Sequence, residues 1–480
     1  MDKESLKYKT KQGLYWKTFE QVSLHAMQFV VGIVMARLLS PGDYGITVLP
    51  AVLLSVAQVF IDGSFGLALV RKKEVTESDL ATAFYYSIIV GCMCYVGVFV
   101  GAPYVAEFYN VPILTPLIRA TALNFIWNPL MTPQSVILNR RLDFRTPARI
   151  SIVNKIFGAA AGIIVAYLGF GVWALVVAML TSSFMGVLQT WFAVKWLPKA
   201  KFSRASFGYL WNFGNKLMVV QLLQTVYANI APVVIGKAGG TVDLGNLDRA
   251  RSFAQIPSSY MTNLVGTVAF PVLSRIKDSP LALAENYRRM IKMTMFVSCP
   301  IMLLLCALAH PLVIFLLTAK WESSVILLQI LCGAYMLLPM QMLNINLLQI
   351  VGRTDLTLRI EIIKKTVYFI AIIIAVQYGL LVFCLTDLLL NIFALVVNTY
   401  YTGKLIRLGL FKQLMDIAHS LILAFVMMIS VFLATHFITG EFWRLTIGGP
   451  LGLLIYWCGA RIFRFEELED VKYLLGMKKL

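Results

Sequence analysis

The sequence predicts an all-α polytopic membrane protein of about 14 transmembrane helices: two six-helix lobes related by a parallel repeat, plus two C-terminal helices. Three observations predict it. The 480 residues are 59% hydrophobic and only 14% charged, outside the range of soluble globular domains. Apolar stretches near the roughly 20 residues that a spanning helix needs recur along the whole chain. Basic residues gather in alternate loops between those stretches.

The first span, residues 13–38, carries Lys17, Glu20, His25 and Arg37. Charge inside hydrocarbon costs at least ~2.5–3.5 kcal/mol per residue, so it persists mainly where it faces water, a partner or a ligand. At about 100° per residue, Lys17, Glu20, Gln21, His25 and Gln28 share one face, with Arg37 off it at the far end. Glu20, three residues from Lys17, reads first as its ion-pair partner. The second span, 45–69, sets Ser55, Gln58 and Asp62 on one face. Span 82–105 has Gly97 and Gly101 at GxxxG spacing, a signature of close helix packing. Span 112–138 holds Pro129, which permits a kink; Glu107 and Arg119 flank the loop before it and are expected to pair. Span 147–168 repeats the GxxxG spacing at Gly158 and Gly162, and span 171–194 completes six.

The seventh span, 207–236, clusters Gln221, Gln224, Thr225 and Asn229, with Lys216 about 80° outside that arc. In the eighth, 250–273, Arg251, Gln255, Ser258 and Thr262 fall in a narrow arc, and Pro257 and Pro271 interrupt it. Spans 290–318, 323–350 (with Pro339) and 357–377 follow. The twelfth, 379–401, has Asp387 midway, with Asn391 and Asn398 on the same face. A buried carboxylate there is either a proton or sodium site or a structural partner for Lys364 or Lys365. Spans 414–437 and 445–463 bring the count to fourteen.

Thirty of the 42 Lys and Arg residues fall at the termini and in the even loops, against five in the odd loops. That bias places both termini in the cytoplasm, as an even span count requires. The net charge of +18 is therefore a topology signal, not a nucleic-acid footprint. Seven cysteines without metal or redox spacing read as small apolar residues. No cleavable signal is expected, because the first span is too long and lacks a small-residue cleavage site. No P-loop, zinc cluster or catalytic triad is legible.

The chain also repeats itself. Pro41-Gly42-Asp43-Tyr44-Gly45 follows the first span, and Thr241-Val242-Asp243-Leu244-Gly245 follows the seventh, 200 residues later. Lys17 and Lys216 start the corresponding spans; Arg141-Leu142-Asp143 and Arg353-Thr354-Asp355 end the fourth and tenth. The expected lobes are 1–200 (spans 1–6) and 201–405 (spans 7–12), with spans 13–14 and a cytoplasmic tail in 406–480. Because six is even, the halves insert in the same orientation, about an axis along the membrane normal. The simplest polar cavity is lined by spans 1, 2, 7 and 8. Its cations suit an anionic cargo: arginine offers a fork for phosphate and lysine a movable point charge. The competing reading has the uncharged stripes bonding between packed helices and Arg37, Arg249 and Arg251 snorkelling to the outer surface.

Ala36-Arg37-Leu38-Leu39-Ser40-Pro41-Gly42-Asp43-Tyr44-Gly45 resembles a segment of polysaccharide flippases of the multidrug/oligosaccharidyl-lipid/polysaccharide (MOP) exporter superfamily, in the branch of the colanic acid and teichuronic acid exporters. Val59-Phe60-Ile61-Asp62-Gly63, Ala68 to Lys73, Leu168 to Leu175, Asp248-Arg249-Ala250, Ala254-Gln255-Ile256-Pro257 and Gly352 to Leu356 carry the same resemblance. Leu247 departs from it, standing where the family usually has an aromatic, which puts sugar stacking at that position in doubt. The resemblance implies a two-lobe alternating-access transporter of the bacterial inner membrane. Its cargo is expected to be a polyprenyl-pyrophosphate-linked oligosaccharide, with membrane lipid around it and polymerase and glycosyltransferases as pathway partners. Lys17, Arg37, Lys216, Arg251, Gln255 and Gln58 are the candidate substrate residues. Asp62, Asp387 and Glu20 are the candidates for coupling Na+ or H+. No other cofactor, no metal site and no enzymatic activity are expected. The alternatives are a drug or cation antiporter of the same superfamily and a membrane glycosyltransferase or polymerase.

Overall fold

The computed structural model describes residues 3–474, with side-chain surroundings for Gln12 and for residues 15–470. The side chains of Lys3, Lys7, Lys9, Lys11 and Lys472, and all of Lys478 and Lys479, counted in the charge bias, lie outside the described residues. Helices make up almost all of the described chain, and no strand occurs among the described residues. Eleven helices among them are long and apolar enough to cross a bilayer. The three remaining expected spans are helical too. Residues 112–138 form a broken rod, Leu114–Thr121, Asn124–Trp127, a 3-10 turn around Pro129, and Thr132–Arg140. Helices Gly240–Arg275 and Thr354–Val376 are continuous but carry charge, including Arg251 in one and Glu361, Lys364 and Lys365 in the other. The chain is a multi-pass membrane protein.

Two compact units divide the chain at Met1–Gly245 and Asn246–Leu480. In the first, helix Lys3–Leu38 packs along Arg145–Tyr167, which pairs in turn with Trp173–Val194. Gly158 lies against the Ala178 carbonyl and Ser182, and Gly162 lies 3.0 Å, measured from an added Cβ, from the Ala174 carbonyl oxygen. That GxxxG pair is a close-packing site. Gly97 and Gly101 are not: an added Cβ at either meets open space. Small-residue spacing permits close approach but does not supply a partner. Gly158→Leu is accordingly expected to cost about 1–3 kcal/mol by overpacking, whereas Gly97→Leu shifts the detergent melting temperature little.

Helix Arg204–Ala238 also belongs to the first unit, packing on Ala51–Asp62 and Glu77–Tyr109. Gly214 reaches the Gly63 carbonyl and the Phe65 ring. Around them Phe65, Leu69, Leu80, Val136 and Leu210 make a core edged by Trp196, Phe207 and Trp211.

The tightest approach in this unit joins the two repeated loops. Helix Pro41–Val48 starts from a capping box: Ser40 Oγ accepts from the Asp43 N–H at 3.2 Å, and Asp43 Oδ2 accepts from the Ser40 N–H at 2.9 Å. Its Gly45 sits on the backbone of Thr241, so that an added Cβ would collide with the Thr241 carbonyl oxygen. Gly245 sits on Pro41 in the same way, and an added Cβ there would also lie 3.1 Å from the Gly45 nitrogen. The contact is reciprocal: residue 41 covers 245, and residue 241 covers 45.

In the second unit Pro280–Ala307 is the central helix, packed by Ser323–Met336, Leu338–Ile350 and Leu410–His436. Tyr456 donates to the Phe296 carbonyl at 2.9 Å, tying helix Glu441–Ile462 to it. At one end Arg288 forks onto Asp416 (2.5 and 2.6 Å), Arg289 pairs with Asp470, and His419 meets Glu467 at 3.1 Å. Arg289 holds the short acidic helix Glu466–Leu474 against Pro280–Ala307, His419 holds it to Leu410–His436, and Arg288 joins those two longer helices.

Candidate functional site

The polar residues singled out in the first span are carried on a helix that packs, among the described residues, chiefly on Arg145–Tyr167. Lys17 is 57% exposed and donates to Glu20, itself nearly buried, at 3.0 Å. Glu20 is thus held by its i,i+3 lysine. Trp16 lies under the Arg145 guanidinium at 5.4 Å, beside Phe19 and Tyr15. Gln21, His25, Gln28 and Arg37 are exposed.

In the second span Gln58 donates to Asp62 at 2.8 Å, which uses one oxygen of that carboxylate. Ser55, one turn earlier, bonds the Ala51 carbonyl and accepts from Asn229 Nδ2 at 3.4 Å. Spans 2 and 7 therefore meet at a polar contact, of the kind the interhelical-bonding reading describes. Lys216 is exposed on the seventh span, and Lys237 reaches the Phe108 carbonyl. On the other side of the unit boundary Arg249 pairs with Asp248 at 2.7 Å.

The second unit gathers residues that the sequence left apart. Arg251 lies over the Phe383 ring at 5.4 Å, with Tyr335, Tyr368, Cys384 and Asp387 around it. Its Nε is enclosed and has no hydrogen-bond partner. Asp387, 5% exposed, is the carboxylate facing this guanidinium. Lys364 pairs instead with Glu361 at 2.5 Å, and Lys365 lies 3.9 Å from the same carboxylate. A glutamate three and four residues back on the same helix reaches them first. Gln255, one turn beyond Arg251, is exposed. The expected Glu107–Arg119 pair does not form. Arg119 instead donates to the Phe99 carbonyl at 3.2 Å and stacks 4.1 Å over its ring. Outside the spans, Arg353 chelates Asp355 with two 3.0 Å bonds, which hold that carboxyl below its ordinary range.

A second polar group in this unit was not anticipated. Asn344, Thr402 and Gln413, all fully buried, bond one another at 2.9–3.2 Å. They come from three helices and lie 11 to 69 residues apart, so no local spacing signals them. Gln413→Leu strips the others of their amide partner and is expected to cost about 1–3 kcal/mol, read as a fall in thermal midpoint with secondary structure unchanged.

Residues 34–326 match the family described as "Polysaccharide biosynthesis protein". The chain is 25% identical over 452 residues to the teichuronic acid biosynthesis protein TuaB of Bacillus subtilis (strain 168), covering 92% of this chain and 93% of that one. It is 23% identical over 375 residues to the lipopolysaccharide biosynthesis protein WzxC of Escherichia coli (strain K12), covering 78% and 76%. Its fold is similar to that of the lipid II flippase MurJ in an inward closed conformation, with a TM-score of 0.73, 18% identity, and coverage of 93% and 98%. It is also similar to an inward-facing MATE family multidrug resistance transporter of the MOP superfamily, with a TM-score of 0.62, 16% identity, and coverage of 80% and 94%.

Proposed function

The chain belongs to the polysaccharide biosynthesis protein family, and on that premise we propose that it flips a polyprenyl-pyrophosphate-linked oligosaccharide from the cytoplasmic to the periplasmic leaflet. The cargo feeds assembly of a surface polysaccharide (O-antigen, capsule or exopolysaccharide), and the motion is alternating access. The protein is a transporter and not an enzyme. The observation that carries the reading is the family match on a chain whose full-length relative is named for teichuronic acid biosynthesis.

The chemistry of the polar faces supports it. A pyrophosphate wants cations, sugars want amides and hydroxyls, and a polyprenyl tail can stay in lipid. Lys17, Arg37, Lys216 and Arg251 would hold the pyrophosphate, with Gln58 and Gln255 toward the sugars. Asp387, Asp62 and Glu20 would couple Na+ or H+, Glu20 through its bond to Lys17. In the inner membrane, the basic bias of alternate loops supports a topology with both termini in the cytoplasm. The division into halves at 1–200 and 201–405 rests on the echo of residues 41–45 at 241–245. Polymerase and glycosyltransferases of the same pathway would act beside it.

Deleting the gene is expected to leave lipid-linked oligosaccharide stranded on the cytoplasmic leaflet, read by accessibility to a membrane-impermeant glycosidase in oriented vesicles. Normal export with no such accumulation would defeat the reading, and drug resistance on overexpression would favour the antiporter alternative.

A further inference from the structure

Asp387, Asn391, Asn398 and Thr402 recur along helix Leu380–Ile406. At about 100° per residue all four lie within an arc of about 60°. From Asp387 to Thr402 the helix rises about 22 Å at about 1.5 Å per residue, most of the roughly 30 Å hydrocarbon layer. Asp387, Asn398 and Thr402 are buried and Asn391 half-buried.

Neighbouring helices of the same unit answer this stripe with polar groups. Gln341 Nε2 donates to Asn391 Oδ1 at 3.3 Å. Thr402 joins Asn344 and Gln413. Gln413 lies one turn before Asp416, which is bonded to the half-exposed Arg288. At the other end stands Arg251, over Phe383 and facing Asp387.

Interhelical bonding is the ordinary use of polar residues in membrane helices. It accounts for Gln341 with Asn391 and for the Asn344–Thr402–Gln413 group. It does not account for Asn398, which is fully buried with both its amide nitrogen and its oxygen lacking a protein partner. A buried amide in that state carries its whole desolvation cost unless water sits on it. Water at Asn398 would supply one link between Asn391 and Thr402, and the file needs further water between them.

We propose that this stripe is a proton path, a file of side chains and water from Asp387 past Asn391, Asn398 and Thr402 to the Arg288–Asp416 end, with Arg251 as its electrostatic stopper. A fixed cation in a narrow polar passage repels protons, as arginines do in other membrane pores. The groups facing Asp387 are Arg251 from helix Gly240–Arg275, Tyr335 from helix Ser323–Met336 and Cys384 on its own helix, with Tyr368 of helix Thr354–Val376 against Arg251. The guanidinium is the one cation among them. Its displacement would open the file at the Asp387 end. The meaning for transport rests on the coupling role proposed above for Asp387, but the path itself is testable without cargo.

The full-length protein is reconstituted in liposomes containing a pH-sensitive dye, and a potassium diffusion potential is imposed with valinomycin. Wild type is expected to be tight. Arg251→Gln is expected to leak protons about tenfold faster, and Arg251→Lys to stay tight. Adding Asn398→Leu, nearly isosteric but unable to hold water, is expected to close the leak; adding Asn398→Ser is expected to keep it. Phe383→Ala, which removes only the ring beneath the guanidinium, serves as the stopper variant if Arg251→Gln does not assemble. A tight Arg251→Gln in assembled protein, or a leak that survives Asn398→Leu, overturns the proposal. Neither result bears on whether the protein flips lipid-linked sugar.

Discussion

Gly45→Leu is expected to abolish export and to lower the melting temperature of the purified protein, with Gly245→Leu doing the same. Each glycine sits on a carbonyl of the other loop, so the first atom of any side chain meets backbone and not a flexible neighbour. Overpacking a core costs about 1–3 kcal/mol when side chains can yield; here the helices themselves must part, so the cost lies at or above that range. Gly42→Leu is the control, because its Cβ would meet Ser40, Thr241 and Val242 side-chain atoms at an ordinary 3.7–3.8 Å. Gly45→Ala combined with Gly245→Ala is expected to cost less than the two singles added together. Once one alanine has opened the crossing, the second enters a gap already made. Full additivity, or export retained in Gly45→Leu, would mean that the crossing is incidental.

The loop echo was readable, because its spacing of 200 lies within one residue of that of the entering lysines. The contact between the echoes was not, since nothing local in either loop encodes a partner two hundred residues away. The spans themselves were legible for a simple reason: the bilayer imposes a length and an apolarity that few other folds meet. Breaks inside them were half legible. Pro129 and Pro339 mark the broken helices at 128–131 and 337, but the separate break near residues 121–124 has no proline.

Charge pairs follow the same rule. Lys17 with Glu20 is a helical i,i+3 spacing and could be read directly. Arg251 facing Asp387 is a tertiary meeting, whereas the sequence offered Lys364 or Lys365 as the structural partner. Glu361 pairs with Lys364 from one turn away and lies 3.9 Å from Lys365. The GxxxG pairs separate along similar lines: Gly158 and Gly162 have helix Trp173–Val194 against them, whereas Gly97 and Gly101 have nothing.

Loss of both Lys17 and Lys216 is expected to cut flipping by about a hundredfold or more. A charged hydrogen bond contributes about 1.5–3 kcal/mol, and each 1.4 kcal/mol is about tenfold. Lys17 keeps more than half its surface exposed while bonded to Glu20, so its ammonium retains donors for an arriving phosphate. Lys17→Arg with Lys216→Arg should retain most activity, because charge is kept, while Lys17→Ala alone should also free Glu20. The measurement is initial flipping rate in vesicles loaded with lipid-linked oligosaccharide, at two salt concentrations. Wild type should weaken at high salt as screening grows, and the double alanine variant should be nearly indifferent. Equal rates in both proteins would remove these lysines from the head-group site.

The Gly45–Gly245 crossing also sets an order of events at the ribosome. Residues 41–45 emerge and enter the membrane long before residues 241–245 exist. At about 5–20 residues per second, the wait is on the order of 10–40 s. During that time six spans are in place, yet helix Arg204–Ala238, which packs on Ala51–Asp62 and Glu77–Tyr109, is still to come. The first unit is therefore finished by its seventh span. A chain arrested before that point would display a glycine-rich, uncovered loop to whatever insertion or quality-control machinery is at hand.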